Sequence, residues 1–134
     1  MRYDHDKDFE TFLESYSECA LWSTMDESTQ DENGNPTKSF EQSESPLSDD
    51  CRAAMRSDCK DFLGQKGIVA VINRYGSFSR AGSDFWLTRN GHGAGFWDGD
   101  WPSKPNVGGF LTRKAKEYGS VDLYVGDDGE IHQS

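Results

Sequence analysis

The sequence predicts an α+β fold in which an antiparallel sheet of three or four strands packs against about three helices. Three observations support this prediction. Apolar residues near the start recur at helical spacing, an Asn-Gly pair divides an aromatic stretch in the second half, and apolar and polar residues alternate near the end. The 134 residues suit a single domain that spans 1–134.

The first helix is predicted over residues 8–23. Its apolar side chains follow the i, i+3, i+4, i+7 pattern of an amphipathic helix, namely Phe9, Phe12, Leu13, Tyr16 and Ala20. A second helix is predicted to begin after Ser48, whose hydroxyl can cap it ahead of two aspartates at its positive end. Its buried stripe would consist of Cys51, Met55, Cys59 and Phe62.

The third helix is predicted to run from Asn106, which can cap it, to Tyr118. Residues 68–75 lie between the second and third helices and fit two structures. The spacing of their apolar side chains suits a helix, whereas their β-branched content suits a buried strand. We favour the helix.

The strands are predicted from turn signals. The stretch 85–97 reads as a β-hairpin, because Asn90-Gly91 suits a two-residue turn with positive φ at both positions. Strands 121–125 and 130–132, joined at Asp128-Gly129, would complete the sheet. The segment 24–46 is rich in Asp, Glu, Ser, Gln and Asn, so we expect an acidic, mobile loop there.

The negative charge lies in one half of the chain. Residues 1–61 hold 16 acidic and 6 basic side chains, whereas residues 62–134 hold 8 of each, and the formal net charge is −10. Such a charge opposes direct binding to nucleic acid or to anionic membranes. It favours a protein partner with a basic surface.

Four acids form a row at intervals of four along the first helix. Each like-charged pair at this spacing costs a few tenths of a kcal/mol, so something should compensate the row. It can pair with Arg52, Arg56 and Lys60 of the second helix in an internal seam, or it can face a basic partner. The row consists of Asp6, Glu10, Glu14 and Glu18. The loop would add the partner-facing acids Asp26, Glu27, Asp31 and Glu32.

The tip of the predicted hairpin supplies three further candidate partner-binding residues, Arg89, Asn90 and His92. A rival interpretation is a small enzyme with a site near Arg89, His92 and Asp98, since catalysis needs a base held by its neighbours. The chain has only three histidines, and two of them lie near the termini. We therefore expect a protein that is not an enzyme.

A second rival is an accessory protein that binds single-stranded nucleic acid by stacking bases on Trp86, Trp97 and Trp101. Such a groove also needs a track of basic residues, which the third helix supplies only in part. Packing in the core is the favoured role for these tryptophans.

No metal and no cofactor are predicted. Five aspartates invite a divalent cation, but their spacing matches no calcium loop: Asp98, Asp100, Asp122, Asp127 and Asp128. The three cysteines lack metal-binding spacing and should be reduced, half-buried thiols. No apolar run approaches the ~20 residues of a membrane span and the start lacks a signal-peptide pattern, so we expect a cytoplasmic protein.

Three blocks of the chain are distinctive. They read DFETFLESYSECALWSTMDE at 8–27, DFWLTRNGHGAGFWD at 84–98 and LTRKAKEYGSVDLYVGDDGEI at 111–131. With these blocks the chain resembles, over most of its length, a family of small acidic proteins encoded by bacteriophages and prophages. The resemblance implies action in the cytoplasm of a bacterial host and implies no reaction. We expect a protein that binds and inhibits a host protein, such as a defence complex that handles nucleic acid.

Overall fold

The computed structural model describes residues 5–134 and has the predicted α+β class. Its strands form two separate two-stranded antiparallel sheets, so the predicted sheet of three or four strands is wrong. In chain order the elements are α1 (His5–Ser23), β1 (Met25–Gln30), β2 (Pro36–Ser39), α2 (Phe40–Ser43), α3 (Asp49–Gly64), α4 (Ile68–Tyr75), α5 (Phe78–Arg89), α6 (Val107–Lys116), β3 (Leu123–Val125) and β4 (Ile131–Gln133).

The helices predicted from apolar spacing are confirmed. Helix α1 buries Phe12, Tyr16 and Ala20, and all four residues of the stripe predicted on α3 are buried. The predicted caps are also present, since the Ser48 hydroxyl accepts the N–H of Cys51 and the Asn106 side chain accepts the N–H of Gly109. Residues 68–75 form a helix, as favoured.

The β-hairpin predicted at 85–97 is wrong, because residues 78–89 form helix α5. The Ser77 hydroxyl accepts the N–H of Arg80 and caps its start. Along α5, Phe78, Ala81 and Phe85 are buried at the i, i+3, i+7 spacing of a core-facing helix. Residues 85–89, predicted as part of the first strand of the hairpin, form the last part of this helix.

The Asn-Gly pair ends α5 instead of turning a hairpin. Gly91 has a φ of +70°, its N–H donates to the Thr88 carbonyl, and the N–H of His92 donates to the Leu87 carbonyl. These two bonds form a Schellman motif, in which a glycine in the left-handed conformation stops a helix. Positive φ was predicted at both residues of the pair; it is correct for Gly91 and wrong for Asn90, whose φ is −96°.

The prediction of a loop at residues 24–46 is also wrong. Strands β1 and β2 pair antiparallel there, and the short helix α2 follows with the capping box of Ser39 and Gln42. Phe40 is buried and anchors the segment to the core, whereas Met25 is 45% exposed. The C-terminal hairpin is confirmed within one or two residues of the predicted bounds, with Tyr124 opposite His132.

The core lies where α1 crosses α5. A Cβ added at Gly82 would clash with the Phe12 carbonyl oxygen, so the two backbones approach as closely as a glycine allows. Aromatic rings fill the space beside this crossing, with Phe62 and Phe85 stacked at 4.2 Å between centroids. Cys19, Cys51 and Cys59 are free thiols buried in the same core, and burial raises the pKa of Cys19 and of Cys51 to about 11.

Candidate partner-binding surface

The acidic row lies on the exposed side of α1. Asp6, Glu10, Glu14 and Glu18 are all exposed. Within residues 5–134, the predicted seam to α3 forms at one position, where Arg56 Nη2 lies 2.8 Å from Glu10 Oε1. Both of these side chains are more than half exposed, so the pair contributes between about 0 and 1 kcal/mol.

Glu14 and Glu18 have no such compensation within residues 5–134. No ion pair of Glu14 or Glu18 is formed with any residue of the described range 5–134. Arg52, the expected neighbour, directs its Nε to the Leu47 carbonyl at 3.3 Å. Within residues 5–134 the seam is therefore one salt bridge, and the carboxylates of Glu14 and Glu18 are free to act on other molecules.

A groove runs between α1 and α3 along the row. It has a volume of about 490 Å³, and Glu10 and Glu14 form part of one wall. Leu13 and Leu47, both half-buried, give it an apolar lining. Arg52 and Arg56 also line the groove, so it carries both signs of charge, and the negative charge of the row that has no ion pair within residues 5–134 is that of Glu14 and Glu18.

The acids of the β1–β2 hairpin divide into two kinds. Glu27, Asp31 and Glu32 are exposed. Asp26 is only 1% exposed and accepts the N–H and the hydroxyl of Ser28 at 2.9 and 2.6 Å. Burial acts to raise the pKa of Asp26, but the hydrogen bonds from Ser28 and Ser43 outweigh it and hold that pKa below its ordinary value. Asp26 thus organises the hairpin and is not part of the surface.

Arg89 belongs to the core, so its assignment to a partner-binding surface is wrong. Its side chain is 2% exposed. The guanidinium donates to the carbonyls of Tyr118 and Gly119 at 2.9 and 2.8 Å, to the Tyr16 hydroxyl at 3.1 Å and to Asp58 Oδ2 at 2.7 Å. These hydrogen bonds connect α5 to α1, to α3 and to the turn after α6. The Arg89 side chain is therefore not accessible to a partner.

A second concave surface lies between β1, β3 and the end of α5. This β1–β3 cleft has a volume of about 690 Å³ and brings together three predicted residues, Glu27, Asn90 and His92. Asn90 is a fixed wall, because its amide accepts the N–H of Val121 at 2.9 Å and donates to the Trp86 carbonyl at 3.0 Å. His92 is half-buried.

Three other residues of the cleft were not predicted as partner-binding residues. Met25 and Tyr124 line it and are 45% and 48% exposed, and Asp122 adds a second carboxylate to that of Glu27. Tyr124 occupies the outward position of an alternating apolar stretch, which was a sequence signal for an exposed aromatic ring. Met25 and Asp122 gave no such signal, because only the tertiary structure places β1 beside β3.

The residues of the enzyme hypothesis do not form one site. Arg89 points into the core, His92 lines the β1–β3 cleft, and Asp98 accepts the backbone N–H of Gly95 at 3.3 Å. A general base needs an oriented partner within hydrogen-bond reach of the reacting atoms. This arrangement supplies none among these three residues.

The tryptophans of the nucleic-acid hypothesis form no stacking row. Trp86 and Trp101 are 2% and 3% exposed, so their predicted place in the core is correct. The same prediction is wrong for Trp97, which is 42% exposed and lies against Lys116, whose Nζ is 5.8 Å from the ring centroid. Trp22, which the sequence analysis did not consider, is exposed at the end of α1.

The described part of the chain offers no metal centre. Within residues 5–134, no three His, Cys, Asp or Glu side chains gather closely enough to hold a metal ion. Asp128, one of the five aspartates considered, instead lies 3.0 Å from His132 Nε2.

Comparison of the chain with models of protein families, with curated proteins and with solved structures finds no match. No helix within residues 5–134 has the length and apolar composition that crossing a membrane requires. The argument for function therefore depends on the surfaces described above.

Proposed function

We propose that this chain is a non-enzymatic phage protein that binds a basic surface of a bacterial host protein and thereby inhibits it. The target class is a protein that handles nucleic acid, such as a defence complex, and the place of action is the host cytoplasm. The observation that carries the proposal is the acidic row of α1, in which Glu14 and Glu18 are exposed without an ion pair in the described residues.

Energetics support a role for the row outside the fold. Like charges at i, i+4 spacing destabilise a helix by a few tenths of a kcal/mol per pair, and one exposed salt bridge returns little of that cost. A field of one sign accelerates the encounter with a partner of opposite sign. Proteins that hold nucleic acid present basic surfaces to its phosphates, so they match this field.

The test measures association with the host protein that the chain retains from a bacterial lysate. Replacing Glu10, Glu14 and Glu18 by Gln should slow association by about 10-fold at low salt, and the difference should disappear at high salt because steering charges are screened. The melting temperature should hardly change, because Glu10 is the only one of the three that forms an ion pair within residues 5–134.

A matched control removes the same amount of charge elsewhere. Asp100, Glu117 and Asp127 are exposed acids outside the row, and their replacement by Asn, Gln and Asn should slow association far less. If the two triple variants slowed association equally, the effect would come from the net charge of the chain and not from the acidic row. An on-rate insensitive to salt and to the row would contradict the proposal.

A further inference from the structure

The β1–β3 cleft has an apolar rim that the fold does not need. Met25 and Tyr124 reach it from two different strands, and each keeps nearly half of its surface exposed. Single exposed apolar residues are ordinary, but two that line one concavity from different strands indicate a binding surface.

The Tyr124 ring is held in position. It stacks on the His132 ring with centroids 5.6 Å apart, and His132 Nε2 lies 3.0 Å from Asp128 Oδ2. A ring fixed by a neighbour loses little conformational freedom when it binds, and this is why aromatic side chains serve as anchors at interfaces.

The charge of the cleft selects the occupant. Glu27 and Asp122 place two exposed carboxylates on its walls, and the lining residues within the described range 5–134 include neither Lys nor Arg. A side chain that fits must carry a cation at its end and an apolar stem or plane behind it. Arginine meets both conditions, because its guanidinium stacks on aromatic rings and pairs with carboxylates in a planar fork.

We propose that the β1–β3 cleft binds an arginine side chain in an extended basic segment of the partner, between Glu27 and Asp122 and against Met25 and Tyr124. This inference rests on the proposed function and names its recognition site. The acidic row then supplies long-range attraction, and the cleft supplies the short-range contact that selects the partner. A second copy of this chain is a poor occupant, because each copy carries a net charge of −10.

A labelled peptide of four Arg-Gly repeats tests the cleft without the host protein. Fluorescence anisotropy at physiological salt should report binding to the full chain, and replacing Glu27 by Gln together with Asp122 by Asn should weaken it by about 10-fold. The charge-matched control replaces Glu14 and Glu18 by Gln and should weaken binding no more than about 2-fold, because those charges act from a distance.

Two further measurements separate a site from general attraction. Tyr124→Leu keeps the charge of the chain and should still weaken the peptide several-fold, since it removes the stacking face. A peptide of four Lys-Gly repeats should bind more weakly than its arginine counterpart. The inference would be overturned if the cleft double variant and the row double variant weakened peptide binding equally. It would also be overturned if Tyr124→Leu kept both the melting temperature and the peptide affinity of the wild type.

Failure of this inference is distinguishable from failure of the proposed function. If the cleft variant holds both the peptide and the host protein as well as wild type, while the row variant loses association, the proposed function stands and the cleft assignment falls. If the cleft variant loses the peptide but no basic host protein depends on the row, the cleft binds arginine and the proposed function falls.

Discussion

Two segments of this protein share the same local features and fold differently. The β1–β2 hairpin and helix α5 each lead into an Asn-Gly pair whose glycine has positive φ, +83° at Gly34 and +70° at Gly91. In the hairpin, the N–H of Gly34 donates to the Asp31 carbonyl within a three-residue loop. After α5, the glycine closes a Schellman motif.

The difference teaches that an Asn-Gly pair encodes a backbone angle and not a motif. The spacing of apolar residues before the pair decides which motif forms. Phe78, Ala81 and Phe85 recur at helical spacing and are buried. The β1 segment has one apolar residue, Met25, and no helical stripe.

The same two segments each bury one aspartate, with opposite consequences. Asp26 accepts hydrogen bonds from both the backbone and the hydroxyl of Ser28, and its pKa is lowered. Asp84 in α5 is 6% exposed and accepts one hydrogen bond, from Trp101 Nε1 at 2.7 Å. Burial, with Asp98 and Asp100 nearby, raises the pKa of Asp84 to about 6.

The largest expected effect concerns the residue before each Asn-Gly pair. Arg89→Met should lower the free energy of unfolding by about 3 to 5 kcal/mol, because it leaves Asp58, the Tyr16 hydroxyl and two carbonyls without their donor. Glu32→Met, at the exposed hairpin tip, should change it by about 0.5 kcal/mol or less. Urea denaturation measures the free energy of unfolding of both variants. Similar losses in the two would contradict the role of Arg89 in the buried hydrogen-bond network.

The next effect tests how α5 is held. Gly82→Ala should lower the free energy of unfolding by about 2 to 3 kcal/mol, because the added methyl group meets the backbone carbonyl of Phe12. Gly64→Ala is the control, since outside its own helix backbone and its chain neighbours no atom of residues 5–134 lies within 4 Å of an added Cβ, and it should be neutral or slightly stabilising. Thermal unfolding measures the stability of both variants. If Gly82→Ala left the stability unchanged, the close approach of α1 and α5 at Gly82 would be contradicted.

The two buried aspartates should respond to amide substitution with opposite signs. The pKa of Asp84 is raised from 3.8 to about 6 on folding. The contribution of Asp84 to the stability of the wild type is therefore greatest below pH 4 and is lost as the pH rises through 6. Asp84→Asn should therefore raise the free energy of unfolding at pH 7.5 by about 2 kcal/mol. It should also reduce the dependence of that free energy on pH.

Asp26→Asn should instead destabilise at pH 7.5, by about 1 kcal/mol. The lowered pKa of Asp26 means that its contribution is present above 3.8 and is lost as the pH falls through the folded-state value. Unfolding curves recorded from pH 3 to pH 8 measure both variants. Changes of the same sign would refute the contrast between the two sites.

The smallest effect concerns the asparagines themselves. Asn90→Ala should cost about 1 kcal/mol, because the side chain bonds to the N–H of Val121 and to the Trp86 carbonyl. Asn33→Ala should cost about 0.5 kcal/mol or less, since the Asn33 side chain is exposed and forms no hydrogen bond within the described residues. Equal costs, measured by urea denaturation, would mean that the pair acts through backbone angles alone.

Local patterns in the sequence determined the α+β class and most of the helices. The spacing of apolar residues located α1, α3 and α4, and single polar side chains marked the starts of α3 and α6. The alternation near the end located the C-terminal hairpin. These features depend on residues close together in the chain, so periodicity and capping suffice to find them.

Only the tertiary structure decided that Arg89 is buried and where the candidate site lies. Arg89 looked like a surface charge because its partners Tyr16, Asp58 and the 118–119 carbonyls come from distant parts of the chain. The β1–β3 cleft likewise joins Met25 to Tyr124, almost a hundred positions away. A charge is buried, and two distant residues share a surface, only when packing brings their surroundings together, and no local pattern records that packing.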